Sequence, residues 1–199
     1  MRLTLPGRGF FCRVVLFTAL AIGLGWIVPS LPAQTEAPAV GAKAPDFTLA
    51  TPEGKPVQLS GLLANGRVVL IVLRGYPGYQ CPYCQRQAHD FEANAGKFAV
   101  KGVELLLVYP GPSGNLAKHA QEFLEHSKQL PPNFHLVIDP DYTFTNLYGL
   151  RWNAEAETAY PSTFVLDRNG MIAYRKISRE HGDRTTADNV LAELNKTMM

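Results

Sequence analysis

Residues 67–75, RVVLIVLRG, form a nearly unbroken run of β-branched and aliphatic residues that leads into the motif Cys81-Pro82-Tyr83-Cys84. A strand that is apolar at successive positions, rather than at every second one, must be covered on both faces. The flanking segments supply the cover. Residues 82–98 can carry a helix with Cys84, Ala88, Phe91, Ala95 and Phe98 near one side. VELLLVYP (103–110) reads as a second buried strand. Residues 113–130 read as an amphipathic helix lined by Leu116, Ala120, Phe123, Leu124 and Leu130. FHLVIDP is a third strand, and YTFTNLYGL a short helix ending at Gly149. STFVLDRNGMIAYRKI is a hairpin with Asn169-Gly170 as a two-residue turn signal. TTADNVLAELNK is a closing helix capped by Thr185 or Thr186. Upstream, DFTLATPEGKPVQLS reads as a short hairpin. Strand–helix–strand units imply parallel strands, and the late hairpin adds antiparallel ones. The expected fold is α/β: a mixed central sheet with helices on both faces and an N-terminal β-hairpin extension.

The first thirty residues differ in kind. Arg2, Arg8 and Arg13 precede an uncharged apolar run, Val14 to Val28, followed by PSLPAQ. This is the layout of a secretory signal peptide, expected over 1–33. The run is shorter than the roughly 20 residues a membrane span needs, so an uncleaved membrane anchor at residues 14–28 is the alternative. Either way the remainder is exported, to a periplasmic or extracellular space. Residues 34–45, rich in Ala and Pro, read as a linker, and 46–199 as the folded domain. Losing a leader with three arginines and no acid turns the net charge of +2 into −1. Neither value, nor the scatter of the aromatics, points to nucleic acid.

Without the leader, the three cysteines reduce to Cys81 and Cys84. A disulfide between them closes a very short loop and restrains the unfolded chain little, so redox chemistry explains the pair better than stability. With Pro82 at the first helical position, Cys81 falls at the N-cap and Cys84 one turn in. There the free N–H groups and the helix dipole stabilise a thiolate. A thiolate attacks disulfides or peroxide oxygen, and a second cysteine can resolve the product. Two other readings compete. Zinc wants four ligands, and only His89 follows the pair closely. The pair could also be inert buried thiols. Covalent haem needs a histidine after the second cysteine, where Gln85 stands. Tyr160-Pro161 precedes a strand far downstream, and X-Pro is the setting in which cis bonds occur. A cis-proline loop facing the cysteines would offer backbone to a substrate chain; an ordinary turn proline is the plainer reading.

Together, GAKAPDFTL, VVLIVLRGYPGYQCPYC, LVIDPDYTFTNLYGLRW and YPSTFVLDRNGMI resemble the thioredoxin-fold redoxins, and more narrowly the alkyl hydroperoxide reductase/thiol-specific antioxidant group, over roughly residues 40–196. The resemblance implies a thioredoxin-like fold, thiol-based redox activity and neither metal nor organic cofactor. It sets Pro77, Cys81 and Cys84 on the spacing Pro-x-x-x-Thr/Ser-x-x-Cys, with Cys81 in the Thr/Ser place and Cys84 in the peroxidatic place. The family's peroxide-polarising arginine is absent where Pro161 stands; Arg74 or Arg151 are the candidate substitutes. CPYC also matches the glutaredoxin motif. Two activities follow. One is an exported thiol peroxidase in which Cys84 attacks a hydroperoxide and condenses with Cys81, an external dithiol restoring the pair. The other is a thiol–disulfide oxidoreductase in which Cys81 forms the mixed disulfide with a protein substrate and Cys84 resolves it. A non-catalytic binding module that kept the fold is the third class. Tyr76 and Tyr79 are expected to flank the sulfurs. His119 and His126 are expected to be solvated, and the loop SREHGDR (178–184), with His181 and Arg184, to be plain surface.

Overall fold

The computed structural model describes residues 36–125 and 130–196; the expected leader and His126 lie outside the described residues. Seven strands form one sheet: β1 (Thr48–Ala50), β2 (Pro56–Gln58), β3 (Arg67–Val72), β4 (Val103–Gly111), β5 (Phe134–Pro140), β6 (Ser162–Leu166) and β7 (Ile172–Ile177). Their order is β2-β1-β5-β4-β3-β6-β7. β4 runs parallel to β3 and β5, while β6 lies antiparallel to β3 and β7 to β6. The mixed sheet and its N-terminal hairpin are therefore as expected.

The continuous apolar strands divide by parity. Val69, Ile71 and Leu73, with Leu105, Leu107 and Tyr109, face one core. That core is closed by α2 (Pro82–Ala93), α3 (Ala95–Ala99), α4 (Leu116–Phe123) and α6 (Ala187–Lys196). Val68, Leu70 and Val72, with Leu106 and Val108, face the other, under α1 (Leu59–Asn65) and α5 (Thr143–Leu147). Alternate side chains of a strand point to opposite faces, so an uninterrupted run feeds both cores. Each fully buried aliphatic side chain contributes about 1.5–3 kcal/mol. Val68 to Leu73 are all fully buried, which makes β3 the anchor for the cysteine loop that follows it.

Local details depart from expectation: α1 was not read from the sequence, and the helix expected over 113–130 is α4, Leu116–Phe123. The helix expected over 82–98 breaks at Asn94, whose side chain turns back onto the Asp90 carbonyl at 2.8 Å. The β6–β7 connection is not a two-residue turn, which would need positive φ at both Asn169 and Gly170. Only Gly170 has it. The Asp167 carboxylate takes the N–H groups of Asn169 and Met171, both at 2.8 Å, and shapes a longer turn. The supposed linker is docked: Gly41 N–H donates to the Ile172 carbonyl at 2.8 Å and Ala44 N–H to that of Gly170 at 2.9 Å. Arg175 holds the Ala37 and Pro38 carbonyls. Thr186 caps α6, its hydroxyl accepting from Asn189 N–H and its own N–H donating to the Asn189 side chain.

Candidate active site

β3 ends at the sheet centre, and residues 73–81 carry the chain from it to α2. Gly75 makes the turn. Its φ is +72°, and a Cβ there would collide with the Pro110 carbonyl of β4, which also accepts the Tyr76 N–H at 2.9 Å. Gln80 binds the loop to its surroundings, accepting from the Tyr109 hydroxyl and donating to the His119 carbonyl, each at 2.8 Å. Tyr76 stacks on the His119 ring with centroids 3.7 Å apart. His119 is thus packed, and paired with Glu122 at 3.0 Å, rather than solvated. Tyr76 packs against the core cluster that holds both cysteines, and Tyr79 braces the loop, its hydroxyl accepting from Arg74 at 2.5 Å.

Cys81 is the N-cap of α2 and Pro82 opens the helix, the placement expected from the sequence. Both thiols are free and buried, Cys81 1% and Cys84 0% exposed. Their ionisation preferences are pushed apart. The Cys84 thiol donates a hydrogen bond to the Cys81 sulfur and is the largest influence lowering its pKa, to about 5. Burial opposes this, while the Cys84 backbone N–H, the charge of Arg184 and a smaller contribution from Arg74 add to it. Cys84 goes the other way: burial pushes its pKa well up, and the neighbouring Cys81 sulfur pushes it further. These influences favour the negative charge on Cys81, with the Cys84 thiol as its hydrogen-bond donor. The directions match the second of the two activities read from the sequence, in which Cys81 attacks, rather than the peroxidatic place that the family spacing gives Cys84: the sulfur at the helix tip is favoured as the anion, and burial disfavours charge on the one a turn deeper.

Arg184, expected on plain surface, is the further group at the site. Its Nη2 lies 3.9 Å from the Cys81 sulfur. Nε donates to the His181 carbonyl at 2.7 Å and Nη1 to Gln87 Oε1 at 3.0 Å. The loop SREHGDR is largely exposed, as expected, but its Arg184 turns in toward the dithiol. The signal in sequence was only an arginine directly before the last helix, with nothing to say which way it turned.

Of the expected arginines, Arg74 is buried beside the pair, with Nε donating to Glu157 at 2.5 Å and Nη2 to the Ala156 carbonyl at 2.6 Å. Arg151 stays away from the sulfurs: it lies over the Tyr142 ring at 3.9 Å and donates to the carbonyls of Trp152, Glu157 and Thr158. Pro77 is half-buried in the cysteine loop. Tyr160 stacks on Trp152 at 4.8 Å, and the Arg179 guanidinium lies 4.6 Å from its ring centre. Among the described residues no peptide bond is cis, so the Tyr160-Pro161 bond is trans, and the pair leads directly into β6. Its backbone is engaged within the protein. Tyr160 N–H donates to the Leu150 carbonyl at 2.9 Å, the Ser162 hydroxyl donates to the Tyr160 carbonyl at 2.8 Å, and Ser178 N–H donates to that of Pro161 at 2.8 Å. Among the described residues no three His, Cys, Asp or Glu side chains converge as metal ligands.

A strand, a tight glycine turn, an N-capping thiolate and a buried partner thiol make a dithiol redox centre, and the comparisons agree. The AhpC/TSA family model matches residues 40–175. The chain belongs to the AhpC/TSA family. Thiol-disulfide oxidoreductase ResA of Geobacillus thermodenitrificans is 30% identical over 162 residues, 80% of this chain and 82% of that protein. Chloroplastic peroxiredoxin Q of rice is 33% identical over 134 residues, 67% of this chain; the match spans 57% of the rice protein. The crystal structure of peroxidoxin BcpB from Mycobacterium tuberculosis superposes with a TM-score of 0.63 at 25% identity, covering 80% of this chain and 97% of that one. This AhpC/TSA protein is a thiol-dependent redox enzyme with a thioredoxin-like, peroxiredoxin-type fold.

Proposed function

We propose that this protein reduces hydroperoxides, with Cys81 as the attacking thiolate and Cys84 as the resolving thiol. The observation that carries the reading is a sulfur only 1% exposed that caps α2 with the Arg184 guanidinium at 3.9 Å, surroundings that lower its pKa to about 5. Such a sulfur is charged at neutral pH, and its burial suits a small oxidant better than a protein disulfide. The Cys81 sulfur attacks one peroxide oxygen and the O–O bond breaks. The leaving alkoxide takes a proton from the medium and departs as an alcohol, leaving a sulfenic acid on Cys81. The Cys84 thiol then attacks that sulfur; the S–S bond forms, the S–O bond breaks, and the hydroxyl leaves as water with the Cys84 proton. An external dithiol reduces the disulfide. Arg184 and Arg74 supply fixed positive charge where negative charge moves onto oxygen.

The second reading, exchange with protein disulfides, is supported by the likeness to ResA and by the order of the two ionisations. Against it stands the backbone of Tyr160-Pro161, whose bonding is already taken up within the fold. One comparison separates them. Peroxide consumption with dithiothreitol as reductant is expected from the wild type, to be lost in Cys81→Ser and to continue through a sulfenic acid in Cys84→Ser. If peroxide is untouched while Cys84→Ser accumulates mixed disulfides with proteins, the peroxidase reading is wrong. The arginine-led apolar N-terminus supports an exported setting. The mature N-terminus, read by mass spectrometry, is expected near residue 34; an intact Met1 on a membrane-bound protein would point to the anchor instead.

A further inference from the structure

Glu157 lies in the connection between α5 and β6, and the chemistry above gives it no part. It is a nearly buried carboxylate, 11% exposed, with a separate partner for each oxygen. Oε2 accepts from Arg74 Nε at 2.5 Å and Oε1 pairs with His181 Nε2 at 2.8 Å. Each partner leads to the reactive sulfur. Arg74 leaves the end of β3, is buried, and contributes to holding the Cys81 anion. His181 sits in the β7–α6 loop and gives its carbonyl to Arg184 Nε at 2.7 Å, the arginine whose Nη2 reaches the Cys81 sulfur. The other end of Arg184 is held by Gln87 of α2, the helix that Cys81 caps, and Gln87 in turn donates to the Thr185 carbonyl at 3.1 Å. Three segments distant in sequence are thus tied at one carboxylate.

We propose that Glu157 is a positioning residue for the dithiol: it fastens Arg74 to the 178–184 loop and, through His181, fixes where Arg184 stands against the Cys81 sulfur. This deepens the reading of Cys81 as the reactive sulfur and rests on it. A long arginine with no fastening samples many rotamers, and the field it exerts at any one atom is diluted. The sign of the effect separates positioning from simple charge. Glu157 is itself negative, so deleting its charge without moving anything would make the surroundings of Cys81 more positive and the anion easier to form. Loss of positioning does the opposite.

The test uses the reduced full-length chain and its variants Glu157→Gln and His181→Ala. The rate of alkylation by iodoacetamide is followed between pH 4 and 9 and read at Cys81 by fragment mass spectrometry. The other charged or titratable groups acting on this sulfur, Cys84, Arg74, Arg184 and Tyr109, are unchanged in all three proteins. Glu157→Gln is expected to slow alkylation about five- to tenfold at pH 5, the consequence of a midpoint raised by about one unit. Rates at pH 9 should stay near wild type. His181→Ala, which cuts one of the two ties, is expected to slow the reaction about two- to threefold at pH 5. A wild-type profile in Glu157→Gln, or faster alkylation at low pH, overturns the proposal. Should Glu157→Gln fail to fold, as judged by circular dichroism, His181→Ala decides alone, and an unaltered profile there overturns it. A wild type that consumes no peroxide sinks the peroxidase reading while leaving the alkylation comparison intact, so the two failures are distinguishable.

Discussion

Replacing Arg184 by glutamine removes one positive charge 3.9 Å from the Cys81 sulfur and keeps a polar side chain in its place. At that distance two unit charges interact by about 1 kcal/mol in water and about 4 kcal/mol at the effective dielectric of a partly buried site. At 1.36 kcal/mol per unit, this corresponds to a rise of about one to three units in the Cys81 midpoint. The Cys84 thiol and backbone N–H hold much of the anion independently of Arg184, which puts the expected shift at the lower end, about one to two units. Starting from about 5, the thiolate fraction at pH 5 should fall from about a half to about a tenth or less, while at pH 8.5 both proteins stay almost fully ionised. Thiolate absorbance near 240 nm gives the midpoint, and peroxide consumption at the two pH values gives the consequence. The rate should drop at least about fivefold at pH 5 and much less at pH 8.5. An unmoved midpoint, or an equal loss of rate at every pH, refutes the electrostatic argument and leaves Arg184 with a packing role only.

Further outcomes follow from the same site. Cys81 has a depressed folded pKa, so its contribution to the stability of the reduced protein is fully present above the ordinary thiol range near 8.5 and fades as pH falls toward about 5. Cys84 has the opposite sign: its raised pKa costs stability as pH climbs above that range. In urea melts the stability lead of wild type over Cys81→Ser should therefore grow between pH 5 and 8.5; a constant gap contradicts the assigned ionisation. Gly75→Ala places a side chain at φ +72° and against the Pro110 carbonyl. It should cost at least about 2 kcal/mol in urea melts and lower peroxide turnover as the cysteine loop shifts. A neutral result would mean that β4 yields at that point. The same anion stabilisation favours the reduced pair, so Arg184→Gln should make the dithiol more reducing against a glutathione buffer; an unchanged potential would argue that the arginine acts equally on both redox states.

Periodicity and composition determine a good deal here without help. A strand apolar at every position requires two cores, and the parity of Val68 through Leu73 divides between them as the pattern demands. Pro82 after Cys81 puts one sulfur at a helix tip and the other a turn behind it; these are local rules, carried by neighbours in the chain. The break at Asn94, the Asp167-led turn and the docking of residues 36–45 along β7 were not legible, because each depends on which groups compete for a backbone N–H or an open sheet edge. The division of labour between the sulfurs was likewise hidden. Sequence left open which sulfur attacks, the family spacing pointing to Cys84 and the oxidoreductase reading to Cys81; depth of burial and the direction of one hydrogen bond favour Cys81 as the anion. Arg184 was read as plain surface, and Glu157 not marked at all, for the same reason. Nothing in their own neighbourhoods marks them; they matter because the β7–α6 loop and the stretch before β6 fold back on one sulfur. A field at an atom is set by distance in space, and no local pattern in sequence encodes it.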